Sequence, residues 1–237
     1  MTPPSSGTTI DPGMIAAALA KHGLILRGGF SFETLENAPL GPTGSPARAA
    51  LLIGQAGASI WPHLQRWNND QPEAASDPLD TWSRDVIGDV ARRFGSRAVF
   101  PFEKPFLPFQ QWAMRAEGLK PSPLGILMHP QYGLWHAYRG ALLFDAEWPS
   151  APVEPPVHLC DLCHGKPCLS ACPIDAYSMT GFAYEACIGY LKSDCGEICM
   201  TEGCRARNAC PYGEPYRYPS EVQAYHQARF AGRAGRL

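Results

Sequence analysis

Cys160-Asp161-Leu162-Cys163-His164-Gly165-Lys166-Pro167-Cys168-Leu169-Ser170-Ala171-Cys172-Pro173 is the stretch on which the reading of this chain turns. Its four cysteines are crowded into one short run, and the last precedes a proline. A second set, Cys187, Cys195, Cys199, Cys204 and Cys210, follows and also closes on Cys-Pro, at Pro211. A disulfide framework belongs to oxidising compartments and normally uses an even count. Here there are nine cysteines, and the chain opens Met1-Thr2-Pro3-Pro4-Ser5-Ser6-Gly7 without an apolar leader. A zinc knuckle would account for Cys160-x-x-Cys163 alone, but zinc sites usually separate two such pairs by a longer loop. Crowded thiolates are soft ligands, suited to iron–sulfur chemistry.

Paired cysteine runs that each end in Cys-Pro resemble bacterial two-cluster ferredoxin domains, in which the fourth cysteine of each run crosses to the other cluster. The resemblance implies two [4Fe–4S] clusters. We assign Cys160, Cys163, Cys168 and Cys210 to the first, and Cys172, Cys187, Cys199 and Cys204 to the second, with Cys195 as the alternative to Cys187. The spacing departs from the common one: four residues separate Cys163 from Cys168, and Cys199-x4-Cys204-x5-Cys210 is looser still. His158 and His164 lie beside the ligands and are read as their neighbours.

The remaining composition sets limits. A length of 237 residues suits one large domain or two modest ones. A net charge of -2 offers no basic patch, which argues against nucleic acid as a partner. No apolar run reaches the eighteen or so residues of a membrane span. Reduced thiols and the lack of a leader point to the cytoplasm. The expected organisation is a disordered 1–9, an α+β domain over 10–150, a two-cluster domain over 151–218, and a C-terminal helix and tail over 219–237. The proline-rich stretch from Trp148 to Pro156 is the expected linker.

In the N-terminal part, Asp11 caps and Pro12 opens a helix through about Lys21, with Gly23 as its stop. Leu24 to Leu26, Ala49 to Ile53 and Ala98 to Phe100 read as strands. Ile60 to Trp67, Leu79 to Phe94, and Phe106 to Ala116 before Gly118 have helical spacing, and Trp61, Trp67, Trp82 and Trp112 fall on these as core. Leu124 to Met128 and Leu134 to Phe144 read as a strand pair joined across His129-Pro130-Gln131-Tyr132-Gly133. Ser220 to Phe230 reads as a helix capped by Ser220.

Leu124-Gly-Ile-Leu-Met-His129-Pro130-Gln-Tyr132-Gly133-Leu-Trp135-His136-Ala-Tyr138-Arg139-Gly140 resembles the corresponding segment of CblC-type cobalamin-processing proteins. The strand at Leu51, the helix around Trp61 to Trp67, and Ser76-Asp77-Pro78-Leu79-Asp80 precede it in similar order. Downstream, the cysteine run joined to Cys187-Ile188-Gly189-Tyr190-Leu191 looks like the ferredoxin part of epoxyqueuosine reductases, which, like reductive dehalogenases, join a CblC-like domain to two clusters. The combined resemblance covers roughly residues 48 to 212. It implies an α+β, nitroreductase-like (CblC-like) sheet-and-helix domain followed by the two-cluster domain, with cobalamin as a further cofactor. By the same resemblance Arg139, with His129, Tyr132 and Trp135, would meet the corrinoid or another ligand. The residue-level alternatives are a surface ion pair for Arg139 and cross-strand packing for His129, His136, Tyr132, Trp135 and Tyr138.

Two departures bear on activity. The Gly-Trp-x-Gly-Lys stretch of epoxyqueuosine reductases is replaced by Gly118-Leu-Lys-Pro-Ser-Pro-Leu-Gly125. The acidic residue nearest their catalytic aspartate is Glu103, a general-acid candidate that has Lys104 as an ion-pair alternative. With no long C-terminal extension or basic surplus, tRNA reduction is not expected. Two functions follow. One is an iron–sulfur reductase passing electrons to a corrinoid or other small-molecule ligand on the N-terminal domain. The other is a ferredoxin-like carrier whose N-terminal domain docks an electron donor or acceptor protein and binds no corrinoid.

Overall fold

The computed structural model describes residues 11–34, 38–73, 75–148 and 154–232. The chain runs α1 (Pro12–Ala20), β1 (Ile25–Ser31), β2 (Ala49–Ala56), α2 (Trp61–Asn69), α3 (Pro78–Arg93), β3 (Arg97–Val99), α4 (Phe109–Glu117), β4 (Lys120–Pro121), β5 (Leu127–Met128) and β6 (His136–Phe144). Shorter elements then carry the cysteines: α5 (Leu159–Leu162), α6 (Pro167–Ser170), β7 (Tyr177–Ser178), β8 (Gly181–Phe182), α7 (Tyr184–Lys192), α8 (Glu197–Glu202), α9 (Arg205–Asn208) and α10 (Ser220–Phe230). The fold is mixed α/β, and no helix among the described residues is long and apolar enough to cross a membrane.

Two compact units divide the chain. The first comprises Met1–Gln55, Asp77–Gly118 and Ala137–Pro155, and the second Ala56–Ser76, Leu119–His136 and Pro156–Leu237. They interleave in sequence, whereas the expected boundaries cut it linearly. Residues 56–76 and 119–136 therefore belong with the cysteine-bearing unit. The expected disordered 1–9 and the middle of the expected linker lie outside the described residues.

The first unit is built on a sheet of order β1-β2-β6-β3. β2 lacks polar alternation, and all of it but Ala56 is buried, as in a strand covered on both faces. β1 pairs with it antiparallel, and β3 with β6. β1 continues to Ser31 instead of stopping at Leu26, because Gly28 and Gly29 fall where the register shifts between Leu26 and Gly29. The Asp11 side chain caps α1, accepting from the Met14 amide. α4 starts at Phe109, later than expected, since the residue before Pro108 is disfavoured in helical geometry. It ends on left-handed Gly118 as expected. Of the helical tryptophans, Trp82 and Trp112 are buried here.

Trp61 is buried in the second unit and Trp67 half-buried. The expected strand pair across His129–Gly133 does not form. The loop closes on itself through reciprocal His129 and Gly133 backbone bonds. β5 pairs instead with β4, and β6 joins the sheet of the first unit. α10 spans the expected residues, but Pro219 occupies the N-cap position and Ser220 is the first helical residue, so the serine cap is absent.

Candidate metal centre

Cys160 sits on α5, Cys163 ends it in extended conformation, and Cys168 sits on α6. Cys210 follows α9. Cys160 and Cys210 are buried with Met128 and Leu134, against which Leu124, Ile126, Leu159 and Tyr212 pack. These four cysteines line one pocket, together with Lys166 and Pro211.

Cys210 is positioned by a backbone crossing. A Cβ on Gly133 would lie 2.2 Å from the Tyr212 carbonyl oxygen, and one on Gly213 would lie 2.2 Å from that of Tyr132. Both glycines have positive φ, 57° and 75°. The loop 129–133 and the chain just past Cys210-Pro211 thus approach as closely as backbones can, and only glycine fits at either position.

The second set lies among other elements. Cys187 is on α7, Cys199 on α8, and Cys204 precedes α9. The Cys172 sulfur accepts from the Ala176 amide at 3.4 Å. Cys199 is buried with Leu191 and Ala231, and Cys187, Tyr190 and Met200 pack against them. Gln227 of α10 donates to the Cys199 carbonyl at 3.2 Å. Cys195 is exposed on the single turn Asp194–Gly196.

The electrostatics divide the thiols in the same way. Burial, then Cys210 and Cys168, push Cys160 up to about 11. Cys168 is raised by burial and by Cys210 and Cys163, and Cys210 by burial and by Cys163. Burial followed by Cys204, Cys172 and Cys199 pushes Cys187 up to about 11. Cys199 is raised by burial and by Cys204 and Cys172. The Tyr177 hydroxyl is raised too, by burial and then by Cys204, Cys187 and Cys172. Tyr190 is raised by burial, then by Cys199 and by Cys195.

All nine cysteines are free, so no disulfide framework forms. Among the described residues, no group of three or more His, Cys, Asp or Glu is arranged for a single metal ion. A [4Fe–4S] cube asks something different, one thiolate for each iron. Two sets of four soft donors in apolar surroundings fit that demand.

The other candidate residues are occupied. His129 accepts the Gln131 and Tyr132 amides on Nδ1, each at 3.1 Å, and stacks on the Tyr132 ring at 4.0 Å. His136 is buried and donates from Nε2 to the Leu127 carbonyl at 2.9 Å. Trp135 is fully buried beneath Arg207 and edge-on to Tyr218. Arg139, Tyr138 and Glu103 belong to the first unit. Arg139 faces Asp80, whose carboxyl is raised by burial and drawn back down by Arg139 and Arg84. Glu103 pairs with Arg84 at 3.3 Å, not with Lys104, and both partners are substantially exposed.

Two features were not anticipated from sequence. Arg207 and Lys166 stand beside the first cysteine set. In the first unit, buried Arg27 forks onto Glu117 at 2.9 and 3.0 Å, and its guanidinium also lies 4.6 Å from the Tyr138 ring centroid. The Tyr138 hydroxyl donates to the same carboxylate. Lys166, two residues before Cys168 in the quoted run, was the legible one. Nothing in the spacing marks the others.

No family model matches the sequence, and no curated protein sequence does either. Solved structures do match. The B12-trafficking protein CblC of C. elegans, a human MMACHC homologue, aligns with a TM-score of 0.54 at 14% identity over 93% of each chain. An epoxyqueuosine reductase aligns with a TM-score of 0.51 at 14% identity, over 90% of this chain and 68% of that one. Another, bound to a tRNA-Tyr stem loop, gives 0.49 at 14% identity over 88% and 68%. At this identity the likeness is one of fold.

Replacing Gly133 by Ala adds a backbone clash to a left-handed strain, an expected cost of about 2–5 kcal/mol. The loss should appear as a lowered urea midpoint. The raised thiols give a pH dependence with a definite sign. Between 9.0 and about 11, Cys160 and Cys187 keep protons in the folded chain that the unfolded chain has released. Cluster-free protein should therefore lose stability as pH rises through that window, read as a falling urea midpoint.

Proposed function

We propose that this chain is an iron–sulfur protein that holds two [4Fe–4S] clusters and carries electrons. The observation that supports the reading is the pocket lined by Cys160, Cys163, Cys168 and Cys210, beside a second group in which Cys204, Cys172 and Cys199 act on Cys187. Cys160, Cys163, Cys168 and Cys210 hold the first cluster, and Cys172, Cys187, Cys199 and Cys204 the second, in a ferredoxin-type arrangement. Each cluster, when bound, supplies one-electron transfer. The protein holds the thiolates and excludes water, through Met128, Leu134 and Tyr212 at the first set and Leu191, Met200 and Ala231 at the second.

The sheet-and-helix unit is read as CblC-like and of nitroreductase type, which the likeness in fold to CblC supports. A corrinoid-dependent reductase is the second reading, and it rests on that likeness. The side chains proposed to meet a corrinoid fit it poorly as they stand. Nδ1 of His129 and Nε2 of His136 are engaged, Trp135 is buried under Arg207, and Arg139 faces Asp80. Glu103, exposed and paired, supports no general-acid role. The electron carrier is therefore the reading we take forward, with an electron donor or acceptor protein as partner and a reducing, cytoplasmic setting. With a net charge of -2, no nucleic-acid role is proposed.

Protein reconstituted anaerobically should contain about eight irons and a matching amount of labile sulfide. Zinc in place of iron would sink the reading. Titration with cob(II)alamin, followed by EPR, should leave the cobalt signal unchanged. A shift to a base-off signal would instead select the corrinoid-dependent reductase.

A further inference from the structure

The surroundings of the two cysteine sets differ in charge. α9 presents Arg207, whose guanidinium carbon lies 4.4 Å from the Trp135 ring centroid and 4.7 Å from that of Tyr218. Its Nη2 donates to the Leu134 carbonyl at 2.5 Å. Its Nε and the Trp135 Nε1 are buried with no hydrogen-bond partner. Leu134 lines the pocket of the first set, and the Cys210 amide donates to the Arg207 carbonyl at 3.2 Å. The arginine is thus held against two rings beside Cys210, with a donor to spare.

Lys166 makes a second such contact. It lines the same pocket, and its Nζ donates to the Cys160 carbonyl at 2.8 Å. Both cations are half-buried. Arg217, also beside Cys210, and Asp161, next to Cys160 in sequence, are exposed and screened by water. Beside the second set stands Arg205, which is exposed. The carboxylates of that stretch, Asp175, Glu185, Asp194, Glu197 and Glu202, are exposed as well.

We propose that Arg207 and Lys166 hold the reduction potential of the first cluster above that of the second. The inference rests on the two-cluster reading. Adding an electron makes a cluster more negative, and a fixed cation in poorly solvated surroundings stabilises that state far more than an exposed one does. Arg207 and Lys166 act as positioning residues for charge. They ligate nothing.

An anaerobic potentiometric titration followed by EPR tests this, with Cys163→Ser and Cys204→Ser variants assigning each signal to its set. In the unaltered protein the first cluster should be reduced at the higher potential. Arg207→Gln should lower the reduced-to-oxidised ratio of the first cluster about tenfold at fixed potential, about 59 mV for a one-electron couple. The second cluster should stay in place. Arg207→Lys should recover most of the shift, Lys166→Gln should move the first cluster in the same direction as Arg207→Gln, and Arg205→Gln should leave it alone. If Arg207→Gln fails to load clusters, Lys166→Gln carries the same comparison. A second cluster at equal or higher potential overturns the proposal, as does a shift that is absent or equal in both clusters. Protein that takes up no iron fails the two-cluster reading itself.

Discussion

Buried thiols that repel one another when ionised are the constraint on which the cysteine-bearing unit depends. Burial disfavours the thiolate at Cys160, Cys168 and Cys210 in the first set and at Cys187 and Cys199 in the second, and neighbouring thiols raise the cost further. Nothing apolar in their surroundings compensates. In the proposed reading a core of cationic iron does, converting the repulsion into ligation. The short helices around the cysteines have few residues with which to build a core of their own. Their apolar contacts are largely the cysteines together with residues such as Met128, Leu134 and Leu191.

That dependence explains the interleaving of the chain. Met128 and Leu134 come from the segment preceding β6, yet they pack against Cys160 and Cys210. The close passage of Tyr132-Gly133 against Tyr212-Gly213 fixes the loop to the residues just past Cys210. A segment that resembles a ligand-binding strand pair in sequence serves here as a support for the first cysteine set. Its aromatic and histidine side chains are taken up accordingly, with His136 on the Leu127 carbonyl and Trp135 under Arg207.

Local chemistry was legible in the sequence, and long-range pairing was not. The apolar run at β2, Asp11 and Pro12 at the start of α1, Gly118 after α4 and the extent of α10 could all be read from residue types alone. The cysteine spacing carries the iron–sulfur proposal, because ligand type and crowding are local properties. The strand pair across 129–133 failed as an expectation because periodicity says that a strand exists, not what it pairs with, and β5 turned to β4. Arg207 escaped notice for a related reason. Its significance comes from Trp135 and Tyr218, far away in sequence, and an arginine three residues before a cysteine is unremarkable by itself.

The partition into two sets of four, with Cys195 outside both, is open to one direct measurement. Each of the nine cysteines is replaced by serine in turn, and iron is counted after anaerobic reconstitution. Variants at the eight assigned positions should each lose about four irons, one cluster's worth, while Cys195→Ser keeps all of them. Loss of a cluster in Cys195→Ser, with full iron in Cys187→Ser, would contradict the partition.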